Sequence, residues 1–474
     1  MKSFATKATV VKAGIISGAS AILFLLAYEV AHGTPLRFAF GIFIALLIPL
    51  CFFAIERPLI FPFGLFVVLA PFESILNVGH VGTINKLIGI ATFGAITLSM
   101  IRRGQLVKPS PAMLTWLGLL VWMGISAFWS IDIQNWQDNY FTVAQNFILY
   151  GAVALTIATP ADIEILSTCA VVGGLAASAV ALWPLVTGGT LLRAGARISL
   201  PANNVHHHSD PNIFAASLLL PYAILFSSTL ASRRLTSLAG NLAGLGLVTI
   251  TIVLSGSRAA MLATLALTIY IMLANRRRRL FALGLLIIAC AAVLPFGFDI
   301  ASRWSNAISS GGAGRTDIWT VALLAFKSHW LFGWGYGSFE SAYDKFVLQA
   351  PLNYYVNWHR APHDILIETG VDLGIVGILM VGFAFFMQFR DLFLPATGFL
   401  DDLRIALQAT VLGICVDALF LDFMDRKFLW VLFMMIALVR STIINKRRTA
   451  CATPSSLMHD RASPKTRSIE SSSH

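Results

Sequence analysis

Apolar residues along the chain gather in runs near 20 residues long, separated by short polar or charged intervals. As a helix rising about 1.5 Å per residue, such a run crosses the roughly 30 Å hydrocarbon layer of a bilayer. The runs fall at about 13–31, 37–55, 58–75, 86–101, 112–129, 140–158, 164–186, 212–230, 236–254, 259–274, 280–297, 364–388, 404–421 and 428–445. They predict an all-α polytopic membrane bundle of about 12–14 transmembrane helices, the architecture that satisfies every backbone polar group inside lipid. Two polar intervals, about 187–211 and 298–363, are much longer than the others. A connection of that length in a compact membrane protein is expected to carry function or structure of its own.

Composition strengthens this picture. Of 474 residues, 57% are hydrophobic and 12% charged, against roughly 45–50% apolar and about 25% charged in a soluble domain. A soluble multidomain protein is excluded on those grounds. The formal charge is +11, which raises nucleic-acid binding, but the basic residues sit in short clusters between apolar runs and do not line one soluble face.

Those clusters fix an orientation. Lys2, Lys7 and Lys12 precede the first run, and Arg102, Arg103 and Lys108 follow the fourth. Arg233 and Arg234 follow the eighth, Arg276 to Arg279 the tenth, and Lys446, Arg447 and Arg448 the last. By parity of the loops all lie on one side, the cytoplasmic side if positive charge is retained there, and both termini are expected on it. The other side receives the acidic Asp132–Asp138 loop and both long polar segments. The first run lacks a small-residue cleavage pattern and is expected to be retained. Residues 1–448 are expected to form one membrane unit that includes the segment 298–363, and 449–474 a disordered cytoplasmic tail too polar to offset its ordering entropy.

No internal repeat of the transporter kind is evident. The five cysteines lie at 51, 169, 290, 415 and 451, none in an outer loop, so neither a disulfide framework nor a paired-cysteine metal site is supported. His206, His207 and His208 suggest a metal at first sight, yet adjacent side chains rarely converge on one ion, and no metal is expected. Asp210 followed by Pro211 reads as a helix N-cap and first helical residue.

Several residues need a chemical explanation. Arg258, in Ser255-Gly256-Ser257-Arg258, lies on the side where positive charge is disfavoured. Its planar fork of donors suits phosphate oxygens, while the structural alternative is snorkelling or an ion pair. Arg193 and Arg197 raise the same question in an ordinary polar loop. The segment 298–363 contains Gly314-Arg315-Thr316-Asp317-Ile318-Trp319 and Gly333-Trp334-Gly335, either a ligand-approaching backbone or a flexible connector with interfacial aromatics. His363 heads the run at 364–388, where the helix dipole opposes an imidazolium and favours a neutral ring able to accept a proton. Asp364, Glu368 and Asp372 follow at i, i+4, i+8 on one helical face, with Gly370, Gly374 and Gly377 read as packing surfaces. Three acids entering a membrane require partners, whether phosphate-binding arginines, a proton relay or structural ion pairs.

In this order and on one membrane face, these motifs resemble the O-antigen ligase and O-antigen polymerase superfamily, which also includes exopolysaccharide polymerases. The likeness covers about 190–390 and rests on an Arg followed by Asp210-Pro211-Asn212, on Ser255-Gly256-Ser257-Arg258, on Gly314 to Trp319, on Gly333-Trp334-Gly335, and on His363 before a Gly-containing span. Where the family shows His-Asn, this chain has His363-Asp364, and Asp372 stands where the family has Glu before Gly-x-x-Gly. The resemblance implies an inverting glycosyltransferase in the bacterial inner membrane that needs no cofactor or metal. Its donor would be a glycan on undecaprenyl diphosphate and its acceptor a sugar hydroxyl, such as that of lipid A–core in lipopolysaccharide biosynthesis. Joining of carrier-linked repeat units by a polymerase is the alternative. It further implies Arg197, Arg258 and Arg315 as diphosphate ligands, His363 as catalytic base on the periplasmic face, and Asp364, Glu368 and Asp372 as their support. A flippase or secondary transporter using Asp364, Glu368, Asp372 and Asp417 is the competitor of another class; it would place function at the bilayer midplane.

Overall fold

The computed structural model describes residues 50–75, 83–187, 197–200, 210–275, 281–284, 315–352 and 358–452. The expected run at 13–31, most of those at 37–55 and 280–297, Arg276–Arg279, His206–His208, Gly311–Gly314 and most of the tail lie outside these residues. The described residues are helical and contain no strand. They comprise α1 (Phe63–Leu69), α2 (Ile84–Arg103), α3 (Pro111–Ile125), α4 (Ile133–Ala154), α5 (Pro160–Val186), α6 (Pro211–Ser217) and α7 (Leu219–Ala231). Then follow α8 (Leu235–Leu254), α9 (Arg258–Ala274), α10 (Arg315–Ser328), α11 (Phe339–Phe346), α12 (Ile365–Arg390), α13 (Phe399–Ala418) and α14 (Lys427–Ala452).

Seven of these helical segments are long and apolar enough to cross a membrane, with α6 and α7 acting as one segment. The protein is an all-α polytopic membrane protein. Exposed leucines and other large apolar residues recur at helical spacing on outward faces, as with Leu114, Leu117, Val121 and Ile125 on α3 and Leu379, Phe383 and Phe386 on α12. Stripes of this kind facing outward fit lipid as the surrounding solvent. α7 and most of α14 are enclosed by the rest of the bundle.

Short side chains and aromatics set the packing. α5 approaches α1 at Gly173 and α7 at Gly174, where a Cβ would overlap the Val68 carbonyl and the Pro221 ring. Such small contact residues let membrane helices pack backbone to backbone. Trp116 of α3 stacks at 5.4 Å from Trp430 and 4.9 Å from Phe433 of α14, with Tyr150 of α4 and Phe385 of α12 against the same group. Offset and edge-on pairs like these add about 0.5–1.5 kcal/mol each beyond area burial.

Two local expectations are corrected. The run at 58–75 holds only the short α1, which continues through the 3₁₀ turn Ala70–Phe72. Pro58 and Pro62 lack the N–H groups that a longer helix would use, and Pro71 ends its regular turns. The acidic Asp132–Asp138 stretch is not a loop but the first turns of α4, because Asp132 caps them by accepting from the Asn135 N–H at 3.1 Å.

The long segment before α12 has structure of its own. α10 and α11 pack on the first turns of α12 through Ile318, Val321, Ala325, Phe339, Tyr343 and Val371, a small core separate from that of the main bundle. Between them the chain from Trp330 to Gly337 docks into a break in α12. Gly374 has φ 69° and ψ −166°, so regular helical hydrogen bonding stops there. The freed groups are satisfied from the docked segment. Trp334 and Gly335 donate to the Val371 and Asp372 carbonyls at 2.9 and 2.8 Å, and Ile375 donates to the Trp330 carbonyl at 2.8 Å. Reading Gly374 as a packing surface therefore understated it: it is a left-handed hinge in a broken membrane helix, tolerable because neighbouring backbone completes its bonds.

Candidate functional site

Three capped helix N-termini lie at one end of the bundle, near Arg315 of α10. Asp210 caps α6 by accepting from the Asn212 N–H at 2.7 Å. Ser257 caps α9, Asp364 caps α12 by accepting from Leu366 and Ile367 at 2.8 and 3.0 Å, and α10 begins as described at Arg315. Arg258, Asp210 and Asp364 act electrostatically on Arg315 there, and Arg315 and Asp210 on His363.

Arg258 is the first residue of α9, after its Ser257 cap. A cation at a helix N-terminus opposes the dipole, at a cost of about 0.3–1 kcal/mol. Arg258 and Arg315 are also near enough to repel: burial first, and Arg258 next, push the Arg315 guanidinium below its ordinary value, while Asp210, Asp364 and Asp417 oppose the shift. Arginine stays charged through such a shift. The result is a pair of neighbouring guanidinium groups whose mutual repulsion an incoming anion would relieve.

Arg197 is committed differently. Its Nε donates to the Ser255 carbonyl at 2.8 Å and an Nη2 to the Asn212 side-chain oxygen, while Ile198 donates to the Leu254 carbonyl at 3.1 Å. The residue thus stitches the start of α6 to the turn that presents Arg258.

His363 stands one residue before the α12 cap, with a left-handed backbone at φ 50°. That conformation costs a non-glycine residue of the order of 1–3 kcal/mol and survives where the surroundings impose it. Burial, followed by Arg315, pushes the imidazole below its ordinary value; Asp210 and Asp422 pull the other way and Arg360 adds to the depression. The ring is therefore neutral near pH 7, and able to accept a proton beside two guanidinium groups.

The three acids after His363 do not share one partner. Asp364 is the cap, and burial raises its carboxyl above the ordinary range. Glu368 hydrogen-bonds the Asp422 side chain. Asp372 accepts from the Gly337 N–H at 2.6 Å, which ties it to the docked glycine-rich segment. Sequence reasoning missed Asp422 and Arg360, and gave Asp210 only a capping role. The Asp422-Phe423-Met424-Asp425-Arg426 turn between two apolar runs carried a legible signal, since intramembrane or rim ionisable groups mark sites. Asp417 of α13 is fully enclosed and neither of its carboxyl oxygens has a hydrogen-bond partner among the described residues; it acts on Arg315 electrostatically. The described residues place no group of three His, Cys, Asp or Glu side chains to share a metal ion.

Residues 243–382 match the family described as O-Antigen ligase. Over that stretch the chain is similar to the O-antigen ligase family. The match runs from α8 into α12, so the matched stretch includes Arg258, Arg315, His363 and the docked Gly333–Gly337 segment, whereas Arg197, Asp210, Asp417 and Asp422 come from outside it. No curated protein matches the chain. The family supports a membrane glycosyltransferase-like protein of the ligase or polymerase kind, with a lipid-linked glycan and an acceptor as partners in general.

Proposed function

We propose that the protein transfers a glycan from undecaprenyl diphosphate to a sugar hydroxyl, as an O-antigen ligase, at the periplasmic face of a bacterial inner membrane with both chain ends in the cytoplasm. The observation that carries this reading is the nearness of Arg258, at the start of α9, and Arg315 to each other and of Arg315 to a neutral, conformationally constrained His363.

In the proposed step the acceptor hydroxyl oxygen attacks the anomeric carbon, and the bond from that carbon to the phosphate oxygen breaks. The hydroxyl proton passes to the neutral imidazole of His363. The electron pair of the broken bond stays on the lipid diphosphate, whose new negative charge falls between Arg258 and Arg315. A single displacement of this kind inverts the anomeric centre. Donors aimed in advance at charge that develops on the leaving group lower the barrier without reorganising, and a positioned base contributes about 10²–10⁴-fold.

The supporting residues divide by their bonds. Arg197 holds the Arg258 turn, and Asp364 orients the residue that precedes it by capping α12. Asp422, backed by Glu368, offsets the positive charge that His363 acquires. Asp372 anchors the Gly333–Gly337 segment over α12. We assign residues 1–448 to the transferase unit, with 298–363 on its outer face. The reading is tested with purified protein in liposomes, a carrier-linked glycan and a lipid A–core acceptor: a new glycoside should form, and His363→Ala should abolish it while the protein remains folded. Addition of repeat units to a second carrier-linked chain would identify a polymerase instead.

A further inference from the structure

The end of the bundle opposite His363 contains a cavity of about 780 Å³. Its walls are the first turns of α5, α8 and α13, the last turn of α7 and the Ser232–Arg234 turn. α8 and α13 each have 20 residues, which at about 1.5 Å per residue puts the cavity about 30 Å, one hydrocarbon thickness, from the Arg258–His363 end. The same end of the bundle holds Arg447, bonded to the Pro395 carbonyl, and Thr442, bonded to the Ala158 carbonyl. This cavity therefore opens at the level of the other leaflet's headgroups.

Its lining is polar in a specific way. Ser227, Ser228, Ser232 and Ser237 supply hydroxyls, and Arg233, Arg234 and Glu164 stand at the mouth, exposed. Among the described residues Arg233, Arg234 and Glu164 form no ion pair. α8 begins without a side-chain cap, so its first N–H groups face the same region as the two guanidinium groups. Counting Asp402, the lining carries two cations and two anions. A purely anionic ligand would meet Glu164 and Asp402 as well as the arginines; a zwitterion would not be repelled. On α5, Ile165 and Val172 are exposed beside the cavity, where acyl chains could follow the headgroup.

We propose that this cavity binds the headgroup of a zwitterionic aminophospholipid. The phosphodiester lies against Arg233, Arg234 and the start of α8, and the primary ammonium against Glu164. The site is independent of the transfer reaction and would seat the bundle on the cytoplasmic leaflet.

The experiment is native mass spectrometry of delipidated protein titrated separately with dioleoyl-phosphatidylethanolamine, dioleoyl-phosphatidylglycerol and inorganic phosphate. The wild-type protein should retain phosphatidylethanolamine in preference to the other two. Arg233→Ala with Arg234→Ala should weaken that binding by at least about tenfold, since the charge-assisted hydrogen bonds of both guanidinium groups to the phosphodiester are lost. Glu164→Gln should weaken phosphatidylethanolamine and leave phosphatidylglycerol unchanged or tighter. Glycan transfer and thermal midpoint serve as folding controls for these surface variants. Equal binding of phosphatidylethanolamine by the wild-type and double-variant proteins would overturn the proposal. So would a preference for phosphatidylglycerol that Glu164→Gln does not alter, or retention of inorganic phosphate alone.

Discussion

Gly374 and Leu331 occupy each other's space: a Cβ on Gly374 would overlap the Leu331 carbonyl, just as one on Gly333 would overlap the carbonyl of Asp372. The break in α12 and the docked segment are therefore one device, each glycine admitting the backbone of the other. Gly374→Ala should lower the thermal midpoint in detergent, with a cost of at least about 1–3 kcal/mol from the left-handed conformation alone. Gly382→Ala, further along α12 with nothing within 4 Å of the new Cβ, should be neutral or mildly stabilising, because alanine is the better helix former. Equal midpoints for the two variants would show that the segment is not docked in this way.

The protonation of His363 sets a pH dependence. Its imidazole is depressed below the ordinary 6.5 by burial and the nearby arginines, so the basic form dominates at pH 7 and persists into mildly acidic solution. For the proposed base, kcat/KM should stay level from pH 7 down to about 6.5 and fall only below it, as the ring protonates. A rate that rises as the pH drops through this window would mean that the protonated ring is the active form.

Asp422 should tune that profile. It is one of two carboxylates that raise the His363 value, and Asp422→Asn keeps a side chain able to hydrogen-bond Glu368. The acid limb of the variant should move to lower pH while its plateau rate falls, because the imidazolium formed during transfer loses a compensating charge. An unchanged limb with a lowered plateau would indicate a structural role only.

Arg258→Lys and Arg315→Lys keep the charge and remove the fork. Each should reduce kcat/KM by at least about tenfold, equivalent to about 1.4 kcal/mol, with the thermal midpoint little changed because the charge is kept. Wild-type kinetics in the lysine variants would count against bidentate phosphate recognition.

Much of this arrangement was legible in the chain. The apolar runs gave α2, α3, α5, α8 and α12 within a few residues, since a membrane span is set by length and apolarity and both are local. Asp210 marks a helix start for the same local reason, whereas the cap at Asp132 was read as part of a loop. Arg258 and His363 were visible because each breaks a rule of charge placement or helix position, whereas Arg315 was singled out through the family resemblance. The hinge at Gly374 was not, because a glycine in an apolar run looks the same whether it packs against a helix or ends one; the distinction lies in the Trp330–Gly335 backbone some 40 positions earlier in the chain, roughly a loop-closure problem with no local signature. Asp422 reaches His363 only through the packing of α12 beside the α13–α14 turn. Likewise, the bonds that commit Arg197 to Ser255 and Asn212 join three separate segments.

Glycoside formation by the reconstituted protein, followed with and without His363, bears on the proposed chemistry more closely than any other observation. Wild-type protein given carrier-linked glycan and acceptor should yield a covalent product, and folded His363→Ala protein should yield at least about a hundredfold less. Full activity in that variant, or movement of the glycan across the bilayer without any new glycosidic bond, would contradict it.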